Sequence, residues 1–210
     1  MPATRTLVRW SGLALIAGGV GIALFVLIHP QSEFNAEVMR GGQAILAHNF
    51  HFLGAALTVF GLGGLLVYEL DRADRFAATA TVVAFFGSIW FAGLGLLSFA
   101  ALPFIASHDP ALIAPDGPFW TEGPQPLFLL GLASFVIGYV ALGIAVLRDG
   151  TLPRWSGVPL IVGALLVSPP PVVVPTVLIL TAGGVLLGAG LAWLGYGLWA
   201  VERSAPATSS

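Results

Sequence analysis

The chain has 210 residues, of which 57% are hydrophobic and 9% are charged, and its net charge at pH 7 is −2. A soluble domain carries about 25% charged residues, so this composition excludes a soluble globular protein and a disordered chain, and it gives no basis for binding nucleic acid. Cysteine is absent and all eight basic residues are Arg, which excludes disulfides, thiolate metal sites and a lysine Schiff base. The sequence predicts an all-α, polytopic membrane protein.

Six apolar stretches predict a compact bundle of six transmembrane helices. We treat residues 1–210 as one transmembrane domain with a polar tail at 201–210. A helix needs about 20 apolar residues to cross the bilayer, and every stretch except the fifth reaches this length. The stretches cover residues 10–29, 51–70, 77–102, 127–147, 155–167 and 172–200.

The distribution of arginine predicts the orientation. In a six-span chain, seven of the eight Arg fall on one side of the membrane and only Arg40 falls on the other. Positively charged residues concentrate in cytoplasmic connections, so both termini are predicted to be on the cytoplasmic side of the cell membrane. The seven are Arg5, Arg9, Arg72, Arg75, Arg148, Arg154 and Arg203.

The fifth span is short. Its 13 residues, 155–167, extend about 20 Å as a helix, against a hydrocarbon core of about 30 Å. Three consecutive prolines at 169–171 follow it. The simpler interpretation is an irregular hairpin at the outer side of the membrane. The alternative is a backbone that enters the membrane irregularly, as at transporter sites, and it gives the hypothesis of a permease for a neutral small solute.

Small residues recur four positions apart and predict close helix packing. Gly18 follows Ala14 in the first span, and Gly188 follows Gly184 in the last. In lipid, small residues let helix backbones approach closely. The same spacing serves contacts within one chain or between copies in a homo-oligomer, so both remain open.

A seven-residue motif occurs twice. TLVRWSG at residues 6–12 returns as TLPRWSG at residues 151–157. Arg9 with Trp10, and Arg154 with Trp155, are typical anchors at the membrane interface. Duplication of a helical hairpin and convergence on the same anchors both explain the match, and the second and sixth spans do not align convincingly.

Histidine and glutamate form a candidate patch at the predicted outer side. His48 and His51 are three residues apart and share one helix face, and we expect His51 to point inward. Imidazole and carboxylate ligands suit Zn²⁺ or a similar ion, and two His from different spans can ligate haem iron. The alternative is hydrogen bonding to loop carbonyls. The candidate metal ligands are His29, His48, His51, Glu33, Glu37 and His108.

The interfacial motifs also carry a resemblance. RWSG at 9–12, His29-Pro30, LPRWSG at 152–157 and LGYGLW at 194–199 resemble uncharacterised six-span membrane proteins of actinobacteria and Chloroflexi. The resemblance implies a six-helix fold and carries no activity and no functional residues.

Two main classes of function remain. The first is a non-catalytic accessory or partner-binding bundle in the lipid bilayer, with a second membrane protein or another copy as partner. No Asp, Glu, Arg or His is expected deep within a span, which favours this class because such residues mark ion and proton paths. The second is a metal- or haem-binding enzyme or redox protein that uses the histidine patch.

Overall fold

A computed structural model describes residues 2–30, 36–114, 116–123, 125–167 and 177–204, and none of these residues forms a strand. Single turns of π-helix (Leu97–Ala101) and 3₁₀-helix (Pro110–Ile113 and Arg154–Ser156) join some of the α-helices. The α-helices are α1 (Pro2–Ile28), α2 (Ala36–Arg40), α3 (Gly42–Asp71), α4 (Arg75–Leu96), α5 (Leu102–His108), α6 (Pro118–Thr121), α7 (Gln125–Asp149), α8 (Gly157–Val167) and α9 (Val177–Ser204).

The predicted all-α membrane fold is confirmed, whereas the count of six spans is only partly matched. Within the described residues, five helical stretches are long and apolar enough to cross a bilayer. The apolar stretch Arg154–Val167 is shorter and extends about 21 Å. The Pro-rich segment that follows lies outside the described residues. The five long stretches are Thr4–Ile28, Gly42–Asp71, Arg75–His108, Pro126–Asp149 and Val177–Ala200.

The long helices and α8 form a closed ring in chain order. Helix α1 packs against α3, α3 against α4, α4 against α7, α7 against α8, α8 against α9, and α9 against α1. Their inward side chains build one apolar cluster whose largest members are fully buried leucines and aromatic residues. We name the two ends of the ring by their residues. At the arginine end α1, α4 and α8 begin, and at the histidine end α1 and α8 terminate.

Helix α8 together with the residues just before it covers nearly the same length of α9 as α1 does. A Cβ at Gly190 would lie 2.9 Å from Leu160, and a Cβ at Gly183 would lie 2.7 Å from the nitrogen of Val167. Pro153, which precedes the 3₁₀ turn before α8, contacts Gly197 of α9. Residues 153–167 therefore extend along α9 from Gly197 to Gly183.

The two copies of the TLxRWSG motif occupy equivalent places in the ring. Trp10 and Trp155 are both exposed on the outside, as interfacial anchors require, whereas the serines that follow them are both buried. Gly12 contacts the preceding helix of the ring, α9, and Gly157 likewise contacts the preceding helix, α7. The motif therefore sets the same orientation for α1 and α8.

Helix α3 packs on α1 in the same register as α9 packs on α8. The sequences alone did not reveal this correspondence. A Cβ at Gly54 of α3 would lie 2.8 Å from the nitrogen of Ile22, which matches the contact between Gly183 of α9 and Val167. Gly61 of α3 accommodates Leu15, as Gly190 accommodates Leu160. The contacts of the hairpins α1–α3 and α8–α9 correspond position by position, which favours duplication.

The third hairpin, α4–α7, packs in a similar way. Gly87 of α4 lies against the backbone of Phe135, and Gly138 of α7 lies against the backbone of Ala84. Helix α4 begins at Arg75, at the arginine end, where α1 and α8 also begin. The ring thus consists of three antiparallel hairpins that pack through small residues.

The three glycines singled out from the sequence each face another helix. A Cβ at Gly18 would lie 2.5 Å from Oγ1 of Thr58 in α3. Gly184 and Gly188 both face α1, where a Cβ would collide with Val26 and with the carbonyl oxygen of Gly19, respectively. These positions tolerate no side chain unless the backbones separate.

Two helical stretches extend beyond the predicted spans. Helix α3 begins at Gly42, before the predicted residue 51, because the apolar residues from Ala44 to Ala47 continue the helix without a breaker. His48 and His51 therefore lie within α3. The helical stretch of the third span continues to His108, beyond the predicted residue 102, because Pro103 lies in the first turn of α5, where its missing N–H matters least.

The connections at the histidine end form a small second core. Helix α2 packs against α5, and Met39 of α2 is buried with Leu102 and Ala106 of α5. Phe119 packs against this cluster and helps to cover it. Leu46 is exposed on α3, on the face that points away from the ring.

Candidate functional site

Three of the four histidines come together at the histidine end. His29 follows α1 directly, and His48 and His51 project from one face of α3. The ring centroids of His29 and His48 are 5.1 Å apart, and those of His48 and His51 are 6.3 Å apart. We call these three residues the histidine cluster. It forms because the end of α1 adjoins the first turns of α3.

Aromatic side chains enclose the histidine cluster. Phe25 stacks on His51 with 4.3 Å between ring centroids, and Phe91 of α4 contacts the same imidazole at 4.1 Å. Phe25 also meets the ring of His29 edge to face, at 5.0 Å. His51 is only 5% exposed, so it points inward as expected.

A backbone hydrogen bond orients His48. Its Nδ1 donates to the carbonyl oxygen of Ala44 at 2.8 Å, within the buried part of α3. A neutral imidazole that carries its proton on Nδ1 leaves a lone pair on Nε2. Of the two ring nitrogens of His48, Nε2 is therefore the one with the chemistry of a metal ligand.

The structure brings together only part of the predicted metal patch. Glu33 lies outside the described residues, and Glu37 is exposed on α2. His108 is exposed at the end of α5, where its ring stacks on Phe104 and its Nδ1 donates to the Phe104 carbonyl oxygen at 2.9 Å. Over the described residues, no group of three His, Asp or Glu is arranged to hold a metal ion.

Haem would require a different arrangement of the same histidines. Axial imidazoles bind opposite faces of a flat porphyrin, which needs an open slot between them. Here the rings of His29 and His48 meet edge to face at an interplanar angle of 82°, and Phe25 stacks against His51. As it stands, the cluster is a compact group of imidazoles.

Polar side chains in the middle of the bundle bind each other or their own helix. Ser88 donates to the carbonyl oxygen of Ala84 at 2.8 Å, and the hydroxyl of Tyr139 in α7 lies 2.7 Å from the same serine oxygen. Thr58 donates to the carbonyl oxygen of Gly54 at 2.8 Å. The three hydroxyl groups are therefore used within the packed bundle and do not line an open path.

A second polar cluster lies at the arginine end. Arg72 binds Asp149 at 3.1 Å and so ties the end of α3 to the end of α7. Asp74 caps α4 by accepting from the backbone N–H of Ala77 at 3.0 Å. The hydroxyl of Thr151 donates to Asp149. The sequence identified these residues only as short charged connections.

Glu69 is the buried member of this second cluster. It is only 3% exposed, and its Oε2 has no hydrogen-bond partner among the described residues. Its position near the end of a span gave no sign of burial. The available signal was helical spacing, since Glu69 continues the inward stripe of Leu62 and Leu65, both fully buried.

A cleft lies beside this second cluster, between α4 and α7. It has a volume of about 250 Å³ and is lined by Asp74, Phe76, Ala145, Arg148 and Asp149. The guanidinium of Arg148 lies 5.4 Å from the centre of the Phe76 ring. The cleft therefore combines carboxylates, a guanidinium and an aromatic face.

Comparisons with known proteins add no assignment. No protein-family model, no curated protein and no solved structure matches this chain. The function must therefore be argued from the two polar clusters and the packing of the ring.

Proposed function

We propose that this chain is a six-span integral protein of the bacterial cell membrane with both termini in the cytoplasm. We further propose a non-catalytic role as an accessory or partner-binding bundle. The observation that carries the proposal is the filled interior of the ring. At mid-depth, Leu15, Leu62 and Leu191 are fully buried in one apolar cluster, and this packing favours a scaffold over an open path or a reaction chamber.

The register of α8 supports the count of six spans. Residues 153–167 extend along α9 from Gly197 to Gly183, and residues 12–26 of α1 extend along α9 from Gly195 to Gly184. A segment buried among neighbours can be shorter than the bilayer because its ends need not reach lipid. With six spans, seven Arg fall on one side.

Cysteine labelling tests the topology directly, because the native chain contains no Cys. Asp71 and Ser107 are both exposed, at opposite ends of the bundle. In intact cells, an impermeant thiol reagent should label Ser107→Cys and should not label Asp71→Cys until the membrane is opened. The reverse pattern would overturn the orientation.

Crosslinking within the native membrane tests the partner-binding role. Phe60 of α3 is 72% exposed and Phe86 of α4 is 62% exposed on the outside of the ring. We expect a photo-reactive residue at one of these positions to crosslink to a second membrane protein or to another copy. If both positions yield only lipid adducts, the partner-binding role loses its support.

The second candidate is a metal- or haem-binding protein, and its basis is the close approach of His29, His48 and His51. Purified protein would then carry a bound metal, or a haem spectrum, in fixed ratio to the chain, and His48→Ala would abolish it. Such a result would replace the accessory role. A solute permease has weaker support because its motivating segment, residues 168–176, lies outside the described residues. Solute flux into proteoliposomes tests it.

A further inference from the structure

The cleft at the arginine end presents charges of both signs to one small space. Asp74 and Asp149 contribute carboxylates, and Arg148 contributes a guanidinium. Phe76, which is 45% exposed, forms its outer edge. A ligand that fits these walls needs an anionic group for Arg148 and a cationic group for the two carboxylates.

The charges of the cleft favour a ligand that carries one charge of each sign. Its walls hold the carboxylates of Asp74 and Asp149 and the guanidinium of Arg148. Because Arg72 is bound to Asp149, Asp74 and Arg148 remain as one carboxylate and one guanidinium. A zwitterionic ligand matches this pair without adding net charge.

Glu69 adds a buried carboxyl group beside the cleft, although it is not part of the lining. Its Oε2 is buried and has no partner among the described residues. The corresponding position of α9, in the register set by Gly54 and Gly183, is the fully buried Leu198. Because leucine fills this position in α9, packing alone does not explain a glutamate here. A carboxyl group is costly to bury, so its presence needs a further explanation.

The depth of the cleft identifies the source of the ligand. The cleft lies where the apolar stretches Gly42–Asp71, Arg75–His108 and Pro126–Asp149 meet their charged connections. Lipid headgroups occupy this level of a bilayer. Phosphatidylglycerol has no amine, and the quaternary amine of phosphatidylcholine has no N–H to donate.

We propose that this cleft binds the headgroup of phosphatidylethanolamine. Arg148 binds the phosphate, because guanidinium groups bind phosphate through paired hydrogen bonds. Asp74 and Asp149 accept hydrogen bonds from the ammonium group, and Glu69 supplies further negative charge behind them. The lipid-facing ring of Phe76 contacts the glycerol region.

Melting of the delipidated full-length protein in detergent tests the proposal, because a ligand that binds the folded state raises the melting temperature. We expect phosphatidylethanolamine to raise it more than phosphatidylglycerol or phosphatidylcholine does. Arg148→Gln should weaken this binding about tenfold or more, since it removes a charge-assisted contact. Glu69→Gln, which keeps the shape of the side chain, should weaken it less.

Arg154→Gln is the matched control. Arg154 lies at the same end and carries the same charge, but its guanidinium lies over Trp155, outside the cleft. This variant should keep the full response to phosphatidylethanolamine. Equal stabilisation by the three lipids would overturn the proposal, and so would an unchanged response in both Arg148→Gln and Glu69→Gln. If Arg148→Gln does not fold, Glu69→Gln and the lipid comparison decide.

Discussion

The contact between α9 and α1 at Gly188 gives the sharpest test of the ring. A Cβ at Gly188 would collide with the carbonyl oxygen of Gly19 and would lie 3.2 Å from the Cβ of Ala23. The contact is reciprocal, because a Cβ at Gly19 would collide with the carbonyl oxygen of Gly188. Backbone atoms cannot move aside as a flexible side chain can, so even one added methyl group must push the helices apart.

The size of the effect follows from two opposing contributions. Adding a methyl group to a tightly packed site costs about 1–3 kcal/mol. Replacing Gly by Ala within a helix contributes up to about 1 kcal/mol in favour of the helix. We therefore expect Gly188→Ala to lower the free energy of unfolding by about 1–2 kcal/mol, and Gly188→Leu to lower it further.

Gly63→Ala is the matched control, because a Cβ at Gly63 of α3 would meet nothing within 4 Å. This variant should be as stable as the wild type or slightly more stable. Unfolding of both variants in mixed detergent, followed by circular dichroism, measures the difference. If Gly188→Ala unfolds together with Gly63→Ala, then α9 and α1 are not in close contact at this depth and the ring is wrong.

Three further predictions concern polar groups. Glu69→Leu should keep or raise the free energy of unfolding in lipid-free detergent, because apolar replacement of a buried charge is often neutral or stabilising; a loss above about 2 kcal/mol would show that the carboxyl group is structural. Tyr139→Phe should lower the free energy of unfolding by about 0.6 kcal/mol, a typical value for a hydrogen bond inside a membrane protein. Ser88→Ala should give a similar loss. Arg72→Gln should lower it by less than about 1 kcal/mol because its bond to Asp149 is exposed.

Hydropathy predicted the helices of the ring better than it predicted their ends. The apolar cores of the spans are unambiguous because only a helix can satisfy its backbone in lipid. The first turns of α3 are different, since Gly42, Gln43 and His48 lower the hydropathy without stopping the helix. The third span was expected to end at residue 102, yet a π turn before Pro103 lets the helical path continue to His108.

The candidate sites were predictable to different degrees. Shared membrane depth was enough to bring His29 close to His48, because the end of one span adjoins the start of the next. His108 does not join them, since α5 carries it to its own contact with Phe104. The importance of Glu69 was missed because burial depends on which face of α3 meets the ring, and span boundaries alone do not give that face.

The repeated hairpins explain why both candidate sites involve α3. Most inward positions of α3 hold the same kind of apolar residue as the equivalent positions of α9. Leu62 and Leu65 of α3 are examples. Glu69 and His51 depart from this pattern, and they lie at opposite ends of the same helix. His51 is buried because Phe91 of the next hairpin covers it, whereas Leu180, its counterpart in α9, is exposed. His51 therefore has a packing role between Phe25 and Phe91. At the position equivalent to Glu69 a buried leucine, Leu198, fills the same place, so packing does not require an ionisable group there. Binding is the more economical explanation for Glu69.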